Sequence, residues 1–137
     1  MAMYERTAVI EVDPDELFHL LADVGTLPDY MAQMVGAERI GIDRVRVTAD
    51  VTRGDGRREQ VTGEAWFKLD RAGRHMRWGW AGPNDYHGEL EVTGAAGVAW
   101  VRVRVFTQRD DPVMIERGLA ATLANLTRLA LAELPPG

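Results

Sequence analysis

The side chains best suited to moving protons in this sequence are His19, His75 and His87. None stands at a metal-binding spacing from another, such as two histidines four apart on a helix. The chain has no cysteine, which removes disulfides, thiol nucleophiles and thiolate metal sites together. Hydrophobic alternation places all three histidines on exposed faces. The acids divide in the same way: Glu64, Glu89 and Glu91 read as outward-facing on strands, while Asp13, Glu16 and Asp111 read as helix caps. No acid/base pair is forced by spacing, so neither a catalytic residue nor a cofactor or metal is assigned. What remains is hydrogen-bonding and aromatic equipment. Tyr30 and Tyr86 offer phenols, Thr122 and Asn125 offer polar groups from a C-terminal helix, and Trp78 or Trp80 offers an indole N–H. With Met34 and Phe67 these form the candidate binding set, suited to orienting a largely apolar ligand with one or two oxygens. Any catalysis by such a set would work by shape and hydrogen bonds.

The elements that must position these residues are well signalled. Tyr4 to Val12 alternates as a strand. Asp13 then caps a helix that has Pro14 in its first turn, Glu16 placed for a capping box, and Val12 and Leu17 placed for a hydrophobic staple. Leu17, Phe18, Leu20, Leu21 and Val24 form its apolar face, and Gly25 suits its stop. A second short helix is expected from Leu27 to about Met34, carrying Tyr30, Met31 and Met34. Six strands follow, roughly Ala37–Ile42, Val45–Arg53, Arg57–Leu69, Arg74–Ala81, Tyr86–Thr93 and Val98–Gln108. Their connections are short and mostly bear glycine, Gly82-Pro83-Asn84 among them, as in an antiparallel meander. Asp111 and Pro112 open a last helix to about Leu134, with Ile115, Leu119, Thr122, Leu126, Leu129 and Ala130 on one face.

Alternation also sorts the sheet into a covered and an open face. The covered face is expected to hold Val45, Val47, Ala49 and Val51; Val61, Gly63, Ala65 and Phe67; Met76, Trp78 and Trp80; Tyr86, Gly88, Leu90 and Val92; and Val101, Val103 and Val105. Arg46, Asp50, Glu64, Lys68, Arg77, His87, Glu89, Glu91, Arg102 and Arg104 fall opposite, as cross-strand charge pairs. On the covered face, Ala49, Gly63, Ala65 and Gly88 are small, and Phe67, Trp78, Trp80 and Tyr86 are large. Small residues can leave volume that aromatics line, or they can mark bends in a dry core. Under the first reading, leucine at Gly63 or Gly88 would fill the space.

Composition bounds the rest. The 137 residues, 46% hydrophobic and 27% charged, suit one domain with a sizeable core. The formal charge of -5, with basic residues scattered, argues against nucleic acid as a partner. No apolar run is long enough to cross a bilayer, and Glu5 and Arg6 interrupt the start before a signal-peptide core could form. A cytoplasmic protein is expected.

The segment Val9-Ile10-Glu11-Val12-Asp13-Pro14-Asp15-Glu16-Leu17-Phe18-His19-Leu20-Leu21-Ala22-Asp23-Val24, with the order of elements, resembles the START-like (SRPBCC) superfamily. Leu27-Pro28-Asp29-Tyr30-Met31 and Gly36-Ala37-Glu38-Arg39-Ile40 resemble its branch of polyketide cyclase/dehydrase and coenzyme-Q-binding proteins. The resemblance spans the chain and implies an α+β helix-grip fold: a seven-stranded curved antiparallel sheet wrapped around a long C-terminal helix, with two short helices after strand 1. It also implies a hydrophobic small molecule held between sheet and helix. Compared with aromatase/cyclases, Leu27 stands where many carry a tryptophan, and the arginine and tyrosine that those proteins direct into the pocket find no counterpart, since Arg46, Arg77 and Arg102 face outward. Three functions follow: binding of a hydrophobic or aromatic, polyketide- or lipid-like molecule, polyketide cyclisation in the same cavity, or a coenzyme-Q-binding or protein-partner module. Leu131, Trp66 and Trp100 would serve the third; a homodimer is a further expectation.

Overall fold

The computed structural model describes residues 2–52, 54–80 and 86–137. Chain order is β1 (Ala2–Ile10), α1 (Pro14–Ala22), a 3₁₀ turn (Val24–Thr26), α2 (Leu27–Tyr30), β2 (Met34–Gly41), β3 (Arg44–Thr52), β4 (Arg58–Asp70), β5 (His75–Gly79), β6 (His87–Ala95), β7 (Val98–Thr107) and α3 (Pro112–Glu133). The strands form one antiparallel sheet in the order β1-β7-β6-β5-β4-β3-β2. This is the expected helix-grip arrangement. The expected turn Gly82-Pro83-Asn84 and the strand ends Arg53 and Ala81 lie outside the described residues.

Both helix starts form as their residues dictate. The Asp13 carboxylate accepts the Glu16 N–H at 3.0 Å and the Asp111 carboxylate accepts the Met114 N–H at 3.4 Å, relieving donors that a helix cannot satisfy internally. Several boundaries differ from expectation; β2, for one, begins at Met34, three residues early. β1 ends at Ile10, two residues early. α1 stops at Ala22, because Asp23 is extended and its carboxylate takes the Gly25 N–H at 2.9 Å. α2 stops at Tyr30, well before Met34: Met31 is extended and Gln33 has φ 69°, a left-handed conformation that no helix continues through.

The two sheet faces separate by charge as the alternation requires. On the convex face Arg102 contacts Glu91 at 2.6 Å and Arg104 contacts Glu5 at 2.5 Å and Glu89 at 3.2 Å, while Arg46 contacts Glu38 at 2.6 Å. The concave face buries Val45, Val47, Ala65, Phe67, Met76, Trp78, Leu90, Val92, Val101, Val103 and Val105. α3 buries Leu119, Thr122, Leu123, Leu126 and Ala130 and runs closest to β1 and α2. Full burial of one such aliphatic side chain stabilises by about 1.5–3 kcal/mol.

Four residues of β3 and β4 expected on the covered face are not covered. Val61 and Gly63 are exposed, and Ala49 and Val51 only half-buried. The reason is strand length. β4 has 13 residues and β5 only five, and they pair only from Trp66↔Gly79 to Asp70↔His75. Among the described residues, Arg58–Ala65 therefore has β3 on one side and no strand on the other.

Candidate functional site

At the α1 end the concave face is plugged. Leu17, Leu21 and Tyr30 are 0% exposed. The Tyr30 hydroxyl donates to the Leu21 carbonyl at 2.5 Å, and burial pushes its pKa far above the usual phenol value. The Asn125 side-chain amide donates to the Tyr30 carbonyl at 3.5 Å, and the Ala32 N–H donates to the Thr122 hydroxyl oxygen at 3.0 Å. Tyr30 and Asn125 thus join α2 to α1 and α3; the Tyr30 hydroxyl, a candidate ligand donor in the sequence, is engaged by the fold. Met34 lies half-buried against the same core.

The opposite wall is aromatic. Phe67, Trp78, Gly88, Val105 and Tyr4 form one cross-strand row. A Cβ built at Gly88 would stand 2.5 Å from Cζ2 and 2.8 Å from Nε1 of Trp78, so the indole lies directly on the β6 backbone. Gly88 therefore leaves no cavity volume, contrary to the sequence-based expectation, because Trp78 already occupies it. Gly63 behaves oppositely: a Cβ there meets nothing within 4 Å, and the same holds for Gly118, one turn before Thr122 on α3.

Trp80 and Tyr86 sit at the rim of this open end. Their rings stack with centroids 4.8 Å apart, and the Trp80 N–H donates to the Tyr86 carbonyl at 3.3 Å. Trp80 follows β5 and is 43% exposed, against 8% for Trp78; being past the last paired residue, it is a rim residue and not a covered one. The Trp78 indole N–H donates to the Tyr86 hydroxyl at 3.5 Å, and burial pushes the Tyr86 phenol up while that bond opposes the shift. Sequence reading missed Thr107 and Gly118. Thr107 is 3% exposed and continues the inward series Val101, Val103, Val105, a signal present in the alternation.

The histidines do not converge. His19 is exposed on α1, His75 lies 3.4 Å from Glu89, and His87 stacks on Phe106 on the convex face, centroids 4.6 Å apart. Among the described residues no three His, Asp or Glu side chains group as a metal site, and no helix is long and apolar enough to cross a membrane. A separate cleft of about 400 Å³ lies outside the plugged end, lined by His19, Ala22, Asp23, Val24, Arg39 and Arg71. At the open end Trp80 is exposed and Tyr86 half-buried, while Phe67 and Trp78 are buried beneath them.

The family model described as polyketide cyclase/dehydrase and lipid transport matches residues 1–131. No curated protein matches the sequence significantly. Among solved structures, the Zhui aromatase/cyclase from Streptomyces sp. R1128 superposes with TM-score 0.74 at 18% identity, over 94% of this chain and 93% of that one. The protein DR_A0006 from Deinococcus radiodurans gives 0.71 at 21%, over 93% and 95%. The di-domain ARO/CYC BexL of the BE-7585A biosynthetic pathway gives 0.70 at 23%, over 93% of this chain but 46% of that one. The chain thus spans about half the length of BexL. At these identities the structural likenesses establish the fold.

Proposed function

The chain belongs to the polyketide cyclase/dehydrase and lipid transport family of the START-like superfamily, and on that premise we propose that residues 1–137 bind a hydrophobic or aromatic, polyketide- or lipid-like small molecule between sheet and α3, in the cytoplasm. The observation that carries the reading is the part of the inner face left uncovered around Gly63, where a Cβ would meet nothing within 4 Å. Apolar walls around such a space give affinity, and a few polar groups give orientation. Phe67, Trp78, Trp80, Tyr86, Met34 and Thr122 line the site in this reading, while Tyr30 and Asn125 hold α2 in place. Native mass spectrometry of the purified protein tests it. A co-purifying small molecule, displaced by an aromatic competitor, is the expected result; a protein that neither carries nor takes up any apolar ligand overturns it.

Cyclisation in the same space is the enzymatic form of this reading, and turnover of a poly-β-ketone analogue by the ligand-free protein distinguishes it from binding alone. A partner-module reading draws on Val9 and Trp100, which pair across β1 and β7 and are 52% and 51% exposed. Self-association lost in Trp100→Lys would favour it.

A further inference from the structure

Among the described residues, three hydroxyls on the concave side, those of Tyr86, Thr107 and Thr122, each receive a hydrogen bond and give none. Tyr86 accepts from the Trp78 indole at 3.5 Å, Thr107 accepts from the Arg109 N–H at 3.1 Å, and Thr122 accepts from the Ala32 N–H at 3.0 Å. For comparison, Thr127, five residues along α3, donates to the Leu123 carbonyl at 2.8 Å, the usual back-bond of a helical threonine. Thr122 forgoes that bond. Thr107 and Thr122 are buried, and the bonds they accept satisfy their oxygens. Continuing the β6–β7 register past His87↔Phe106 puts Tyr86 opposite Thr107.

Of the three, Tyr86 is the best placed to meet a ligand. Trp78 is fixed against the Gly88 backbone, so its N–H occupies a set direction at the phenol oxygen and leaves the phenol proton to point elsewhere. Stacking on Trp80 fixes the ring plane. A donor held on both sides, with its proton uncommitted, is built for an acceptor oxygen. Resting on the binding function proposed above, the geometry points to Tyr86 as the residue that selects ligands carrying an uncharged acceptor, such as an aryl ketone or quinone carbonyl, by donating to that oxygen while the ligand's ring lies against the tryptophans. Burial keeps the phenol protonated, and hence a donor, across the physiological range.

A matched pair of probes tests this: 2-acetonaphthone, which has the carbonyl, and 2-ethylnaphthalene, which replaces it with a methylene. Wild-type protein is expected to prefer the ketone, and Tyr86→Phe to weaken ketone binding roughly three- to tenfold while leaving the hydrocarbon unchanged, as for loss of one neutral hydrogen bond. Equal weakening of both probes, or of neither, overturns the assignment. A second readout needs no variant. The carbonyl stretch of ¹³C-labelled 2-acetonaphthone bound to wild-type protein should fall below its value in hexane, and a stretch at the hexane value also overturns it. Failure of both probes to bind at all would instead bring down the binding function itself.

Discussion

At the α1 end of the concave face Leu17, Leu21 and Tyr30 are wholly buried, and at the other end Val61, Gly63 and Trp80, on the same face of the same sheet, remain open. The two ends differ less in composition than in what backs them. The plugged end has α1, the 3₁₀ turn and α2 laid across it. The open end has a hairpin that outruns its neighbour and a helix whose inner flank carries a glycine. A binding site here is thus made by withholding coverage: the core stabilises the fold where helices close it, and the remainder of the face is left for a ligand.

The two inward glycines test this contrast most directly. Gly88→Leu should lower stability by about 3 kcal/mol or prevent folding, since its side chain would have to displace the Trp78 indole; urea unfolding with tryptophan fluorescence reads it. If Gly88→Leu is as stable as wild type, the closed packing of that row is wrong. Next in size, Tyr30→Phe leaves the buried Leu21 carbonyl without its donor and should be destabilising by roughly 2 kcal/mol, with ligand affinity unchanged. A large affinity loss would move Tyr30 from the plug to the pocket.

High pH sharpens the same comparison. Tyr30 and Tyr86 both have phenol pKa values raised by burial above the ordinary 10.0. The unfolded chain therefore gives up these protons above about pH 10 while the native state keeps them. The sign follows: their contribution is complete below that pH and declines as pH rises, by up to about 1.4 kcal/mol per pH unit for each tyrosine. Tyr30→Phe should flatten the decline of the urea midpoint above pH 10; an unchanged slope would mean that Tyr30 ionises freely. Bound ligand should defer the loss due to Tyr86 alone. The smallest stability effect belongs to Gly63→Leu, expected within about 0.5 kcal/mol of wild type because nothing stands near its Cβ position, yet it should block ligand uptake. Normal uptake in that variant would place the pocket elsewhere.

Much of this was legible in the residues. The caps Asp13 and Asp111, the alternation of β3 to β7 and the apolar stripe of α3 each follow from local chemistry, and each formed within a few residues of its expected place. The identical reading of Gly63 and Gly88 was the misleading part. Alternation tells which face a residue is on, but not how long the neighbouring strand is, nor onto which backbone a tryptophan ring leans. Both are tertiary facts. Tyr30 and Tyr86 were likewise indistinguishable as phenols; only the Leu21 carbonyl, nine residues from Tyr30, separates the structural hydroxyl from the one free to meet a ligand. The early end of α2 at Gln33 follows from a left-handed backbone angle that its residue type permits without demanding.

The overhang of β4 beyond β5 has a mechanical consequence. Among the described residues, 58–65 have a strand on the β3 side only; a one-sided extension of this kind is a cantilever, whose stiffness falls steeply with its unsupported length. β2 in turn backs β3 from Met34 to Gly41, so residues 58–65 would bend together with β3 and β2 while the ladder from Trp66 onward stays fixed. Ligands of different thickness would then be admitted by flexing that flap, with the plugged end as the clamp and no rearrangement of the core.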